Sequence, residues 1–190
     1  MAAAAQGAGT SDPRSRSRTF HWVLVGVLAA VLCILGPIAV PVGPVPISLA
    51  TFGVILTAYV LGPKFGALSA AVYIMLGALG LPVFAGATGG IGKIIGPTGG
   101  YIIGYLALAF FTGLFVKKFP DKVPLHVAGA LVGTVVLYAL GTAWFIFVTR
   151  YTLTKALGVC VLPFLPGDAI KLAAAVIMGA ILRKKLVFLP

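Results

Sequence analysis

Between Phe20 and Leu182 the sequence is a succession of apolar stretches cut by short breaks of proline and glycine. The stretches cover residues 20–40, interrupted at Gly36-Pro37, then 51–61, 65–81, 101–116, 125–148 and 168–182. A helix crosses the hydrocarbon core of a bilayer with about 20 apolar residues. The pattern therefore predicts an all-α integral membrane protein of about six transmembrane helices. Composition excludes the main alternative. Charged residues make up 9% of the 190, whereas a soluble domain carries about 25%, because its surface must be solvated. Residues 20–186 read as one transmembrane domain. Residues 1–19 are small, bear arginines and lack acid apart from Asp12, and they read as a disordered cytoplasmic tail.

The formal net charge of +11 is not a nucleic-acid patch, because the cations sit between apolar stretches rather than along one surface. With both ends on the inner side, that side carries Arg14, Arg16, Arg18, Lys64, Lys117, Lys118, Lys122, Arg183, Lys184 and Lys185. The outer side keeps only Lys93, Arg150 and Lys155, and Lys171 lies within the last stretch. This asymmetry is what the positive-inside rule requires. The stretches at 51–61 and 168–182 are short for a full crossing, so their Pro/Gly-rich flanks are expected partly at membrane depth. Irregular backbone is tolerated there only when packed in protein or lining a cavity. The connections before 51, between 81 and 101, and before 168 all fall on the outer side. Together they predict a pocket.

The candidates for chemistry are few. Of three acidic residues, Asp12, Asp121 and Asp168, only Asp168 stands beside membrane, with Lys171 three residues on along the same helical face. A charged side chain at the bilayer centre costs about 2.5–3.5 kcal/mol on insertion scales, which makes a functional role the default. A simpler role, Asp168 capping the helix after Pro166-Gly167 and pairing with Lys171, is compatible with it. The stretch Ala87-Thr88-Gly89-Gly90-Ile91-Gly92-Lys93-Ile94 is not a P-loop, since Ala87 and Ile94 replace the required glycine and Ser/Thr. Its glycines suit close approach of backbone amides to a small ligand or to another helix.

No catalytic constellation is present. His21 and His126 fall at helix ends and read as interfacial residues, and neither HExxH nor GxSxG occurs. Cys33 and Cys160 read as small buried thiols, with no metal-binding spacing. In the first stretch, Gly26-x-x-x-Ala30 and Ala29-x-x-x-Cys33 place small residues one turn apart. Such spacing lets another helix approach closely, either from a partner or from within the chain.

Several motifs in order resemble the BioY family: Gly43-Pro-Val-Pro-Ile-Ser-Leu-Ala-Thr-Phe-Gly-Val-Ile-Leu56, Leu61-Gly-Pro-Lys-Phe-Gly-Ala67, Leu76-Gly-Ala-Leu-Gly-Leu-Pro-Val-Phe84, Gly96-Pro-Thr-Gly-Gly-Tyr101 and Leu165-Pro-Gly-Asp-Ala-Ile-Lys171. The resemblance implies a six-helix, biotin-specific S component of an energy-coupling factor (ECF) transporter in the bacterial cytoplasmic membrane. It also implies partnership with an ECF module, made of a transmembrane T component and two cytoplasmic ATPases, and no cofactor or metal. Some family members are thought to work without a dedicated module. The family's ligand positions map onto Asp168 and Lys171 in PGDxxK, Tyr101 in GPTGGY, and Thr88 before Gly89-Gly90. Where the family often has Gln this chain has Ala50, leaving Thr51 or Ser48 as the polar contact of the first loop. Phe84 and Tyr101 would wall the ring and alkyl chain, and Gly90 would let backbone approach. The first helix, through Gly26, Ala30 and Ala29, would dock the T component. A stand-alone secondary carrier for a small anionic metabolite, with Asp168 as proton site, is the alternative, and a membrane enzyme comes third.

Overall fold

Proline and glycine set the element boundaries. The computed structural model describes residues 13–41 and 44–186. Its elements are α1 (Pro13–Leu35), β1 (Ala39–Val40), β2 (Ile47–Ser48), α2 (Ala50–Ala78), α3 (Ile91–Ile95), α4 (Gly99–Lys118), α5 (Val123–Thr149), α6 (Leu153–Cys160) and α7 (Leu165–Leu186). Helix α1 stops one residue short of Gly36-Pro37, where proline cannot continue it. Of the tail expected over residues 1–19, residues 1–12 lie outside the described residues, and α1 begins at Pro13. Val42 and Gly43 of the first Pro-rich loop also lie outside them.

Among the described residues, four helices are long and apolar enough to cross a membrane: Ala50–Ala78, Gly99–Lys118, Val123–Thr149 and Leu165–Lys185. A fifth apolar helix, Thr19–Leu35, is shorter. The chain is a multi-pass integral membrane protein, and large apolar side chains such as Ile34, Phe147 and Ile177 stand on its surface. The last of these helices corrects the reading of residues 168–182 as short. It starts at Leu165 because Pro166 is tolerated in a first turn, whose N–H groups have no intrahelical partner.

Helix α2 merges two of the apolar stretches but is not straight. Gly62 takes φ 76°, ψ −171°, a backbone that favours glycine, and Pro63 removes a further helical bond. The chain reverses here: a Cβ built on Gly66 would stand 2.7 Å from the Cα of Ala58, whereas eight residues of straight helix span about 12 Å. The contacts with α1 show the same reversal. Gly53 lies against Leu32 and Leu35, and Tyr73 against Gly36. Leu61 packs with Val25 and Leu28, while Ser69 Oγ donates to the Val25 carbonyl at 3.1 Å. The two arms, residues 50–61 and 63–78, thus run antiparallel along α1. Gly113 of α4 is seated directly on the Gly62-Pro63 reversal.

At the end of the molecule away from Gly36, polar groups close on one another. His126 Nε2 lies 2.6 Å from the Phe119 carbonyl, which can only accept. In the neutral imidazole Nδ1 therefore accepts from Tyr59 Oη, at 2.6 Å. Arg183 Nη1 donates to the Val116 carbonyl at 3.1 Å, satisfying a carbonyl in the last turn of α4. His126 is 2% exposed, which corrects its reading as an interfacial residue. The first turn of α5 folds back beneath α4 and buries the ring. His21 lies beside Phe65, with ring centroids 5.2 Å apart.

Candidate binding site

The pocket forms where α1 ends. Ser48 Oγ donates to the Gly36 carbonyl at 2.7 Å and accepts from Ala50 N–H at 3.0 Å. This fastens the β1–β2 pair, in which Ala39 faces Ser48, over the start of α2. The Ser48 carbonyl is left to accept from Lys171 Nζ at 2.7 Å. On the other side, an antiparallel bridge between Phe84 and Thr88 closes a tight loop, with Ala87 at φ 55°. Phe84 packs edge-on against Tyr73, centroids 5.6 Å apart.

A short block of α5 receives the Gly96–Tyr101 turn. Trp144 Nε1 donates to the Gly96 carbonyl at 3.0 Å, and its side chain seats against Gly100. The Tyr101 ring lies on Gly141. Tyr101 and Thr142 hydroxyls are 3.1 Å apart, and Tyr101 also donates to the Cys160 carbonyl at 3.3 Å. Tyr101 therefore offers the pocket a ring face, with its hydroxyl turned into the fold. Cys160 itself is fully buried; burial pushes its thiol pKa up, as befits an inert cysteine.

Asp168 lies at the heart of the pocket. Its Oδ2 accepts from Tyr138 Oη at 2.6 Å, and its Oδ1 accepts from Lys171 Nζ at 2.9 Å and, at a long 3.4 Å, from Thr51 Oγ1. The Asp168–Lys171 ion pair is 9% and 12% exposed at its side chains. The carboxylate is not a helix cap: α7 starts at Leu165, and Asp168 N–H donates to the Phe164 carbonyl. A buried charge needs such partners, because losing one leaves the other uncompensated at several kcal/mol. The arrangement is not saturated. Oδ2 keeps acceptor capacity, and Lys171 has donated two of its three hydrogens. Tyr105 brings a further hydroxyl that has no hydrogen bond among the described residues.

These groups enclose about 670 Å³ of empty space, including the part open to solvent, within the range of small-molecule sites. Ser48, Thr51, Phe84, Thr88, Tyr101, Asp168 and Lys171 all line it. Gly90 is not among the lining residues. It holds φ 92° at the start of α3, and its N–H donates to the Gly77 carbonyl at 2.7 Å. Gly26, Ala30 and Ala29 lie on α1, away from the pocket. Gly26 and Ala30 are exposed, with open space beyond the Gly26 Cα, while Ala29 is buried. Tyr138, Tyr105 and Lys93 line the cavity without having been singled out by the sequence. A tyrosine within an apolar helix is the signal that could have marked the first two. Lys93 stands in the sequence as an outer-side cation inside a glycine run whose backbone, rather than its lysine, suggests a ligand contact. Among the described residues, no group of three or more His, Cys, Asp or Glu could hold a metal.

A polytopic helical fold, an apolar-walled pocket and one fixed charge pair define a membrane-embedded solute-binding protein. The chain belongs to the BioY family, whose profile matches residues 9–187. It is 40% identical over 165 residues to the biotin transporter BioY of Thermotoga maritima, covering 85% of this chain and 95% of that one. It is 38% identical over 173 residues to the biotin transporter BioY of Rhodobacter capsulatus, covering 84% and 90%. Among solved structures it resembles an S component for biotin from an ECF-type ABC transporter. The TM-score is 0.83 and the identity 31%, covering 89% of this chain and 93% of that one.

Proposed function

We propose that this chain captures biotin and carries it across the cytoplasmic membrane as the S component of an ECF-type transporter. The observation that carries the reading is the Asp168–Lys171–Tyr138 cluster, unsaturated and facing a pocket of fitting size, in a chain of this family. Biotin's ureido ring has two N–H donors and one carbonyl. The ionised Asp168 can only accept, so it takes a ureido N–H. The remaining hydrogen of Lys171, or the Tyr105 hydroxyl, meets the ureido carbonyl. Tyr101 and Phe84 give the bicyclic ring its apolar walls, and Thr88 and Thr51 add polar contacts at their edges.

The reversal at Gly62 supports counting α2 as two crossings, which with α1, α4, α5 and α7 makes six helices and puts both termini on one side. The basic clusters around Arg16, Lys117 and Lys184 support taking that side as cytoplasmic, which would open the pocket outward. Energy would come from a T component and two ATPases, with the T component on the exposed Gly26/Ala30 face of α1. Equilibrium dialysis of purified protein with labelled biotin, without ATP, tests the reading. Saturable binding at micromolar ligand is expected, and none at that concentration overturns it.

A further inference from the structure

Among the described residues, three charged side chains line the pocket: Lys93, Asp168 and Lys171. Asp168 and Lys171 neutralise one another at 2.9 Å, and the Lys171 ammonium is further held by the Ser48 carbonyl. What remains is a single positive charge on Lys93. Its backbone is well fixed: Lys93 N–H donates to the Gly90 carbonyl at 3.1 Å, and its own carbonyl accepts from Thr98 Oγ1 at 3.4 Å. The turn that follows is pinned by Trp144 on Gly96. The ammonium group, by contrast, makes no ion pair or hydrogen bond among the described residues, and the residue is exposed. A cation on a fixed stem at the rim of a cavity, with an internally neutral charge pair at the base, suits a ligand that carries one negative charge at one end.

We infer that Lys93 receives the carboxylate of the ligand's tail and makes the pocket select a monoanion over its neutral amide. The inference rests on the biotin reading above. With the ureido ring held at Asp168, the valerate tail of biotin extends to the rim and ends in one carboxylate. Pocket and ligand are then electrically balanced. The pair is a charge-assisted hydrogen bond that stays partly in water, so it contributes less than a buried one. A lysine at a membrane surface could instead serve lipid phosphates, and in that case it would be indifferent to the ligand's tail.

The experiment compares biotin with biotinamide by equilibrium dialysis on the wild type, Lys93→Gln and Lys93→Arg in one detergent. The wild type is expected to prefer biotin by roughly fivefold to tenfold. Lys93→Gln should lose that preference by weakening biotin alone, and Lys93→Arg should restore most of it. Raising the salt concentration should erode the preference in the wild type and leave Lys93→Gln unchanged. The inference is overturned if Lys93→Gln keeps the preference, or if it weakens both ligands equally, as loosening of α3 would do. A wild type that binds neither ligand fails the biotin reading itself, and a wild type that binds both equally fails only the role of Lys93.

Discussion

The two ends of this helix bundle use similar polar residues for opposite purposes. At the far end, Tyr59, His126 and the Phe119 carbonyl form a closed chain, and Arg183 covers the end of α4. In the Tyr59–His126–Phe119 chain each donor meets an acceptor in the protein. At the pocket end, Tyr138, Asp168, Lys171 and the Ser48 carbonyl are also linked, but donors and lone pairs are left over, and they face a cavity rather than each other. Buried polar networks that are fully satisfied fix structure. Leftover valence beside an empty space is where a polar ligand gains affinity. The difference therefore separates residues whose loss should cost stability from residues whose loss should cost binding.

The largest effect on binding is expected from Asp168→Asn. The amide keeps one acceptor but loses the charge that Lys171 needs, and a hydrogen bond to a charged group is worth about 1.5–3 kcal/mol. Biotin should bind roughly 10- to 150-fold more weakly by dialysis, while Lys155→Ala, at an exposed position on α6, changes nothing. Wild-type affinity in both variants would mean that Asp168 serves structure alone.

The mirror experiment at the far end is His126→Leu, which strands the buried Tyr59 hydroxyl and removes the partner of the half-buried Phe119 carbonyl. An unsatisfied buried group costs about 1–3 kcal/mol, so thermal unfolding in detergent should shift clearly downward. Tyr59→Phe removes one partner and should cost less. In both, the protein that remains folded should bind biotin with near wild-type affinity. A matching loss of affinity would show that the two ends are coupled and the division is false.

This division was only half legible in the sequence. The apolar stretches, their breaks and the Asp168–Lys171 pair could be read directly, because hydrophobic length and a lone intramembrane charge are local signals. The loops that form the pocket were legible too, since proline and glycine mark where helix cannot continue. The far end was not. His126 looks interfacial one residue at a time, and only the fold brings Tyr59, sixty-seven residues away, onto its ring. Tyr138 reaches Asp168 across thirty residues by the same kind of tertiary placement. The start of α7 was missed because Pro166-Gly167 resembles a breaker, and a proline in a first turn looks the same in sequence as one that ends a helix.

A smaller effect tests how the pocket end is held together. Trp144→Phe keeps the aromatic bulk that covers Gly100 but deletes the indole N–H bonded to Gly96. A neutral hydrogen bond contributes about 0.5–1.5 kcal/mol net, and the freed carbonyl, at a half-buried site, can find water. The melting temperature should therefore hardly move. The turn carrying Lys93 and Thr98 becomes easier to displace, so bound biotin should leave faster in a chase experiment. An unchanged dissociation rate would place the restraint on this turn elsewhere, for example in the Tyr101–Thr142 contact.

The smallest effect on the isolated protein is expected from Gly26→Leu combined with Ala30→Leu, and there the absence of change is the informative part. Gly26 and Ala30 lie one turn apart on the outward side of α1, beside the exposed Trp22, Val23 and Val27, and a Cβ on Gly26 meets only open space. The inward side of the same helix holds Val25, Ala29 and Leu32, all buried, so the new side chains disturb no packing within the chain. They also stand away from the pocket, which begins beyond Gly36, ten residues from Gly26 and six from Ala30, or about 15 and about 9 Å along the helix. Melting temperature and biotin affinity should both match the wild type. In a membrane, however, helices associate through close packing of small residues, because lipid tails are already as apolar as leucine. Two leucines would fill the groove that a partner helix needs, so uptake by cells supplying the transporter's other subunits should fall to background. Normal uptake would remove this face as the dock. Loss of biotin binding as well would show that the small residues of α1 serve the bundle itself, and that the far end is less independent of the pocket than its closed hydrogen bonds suggest.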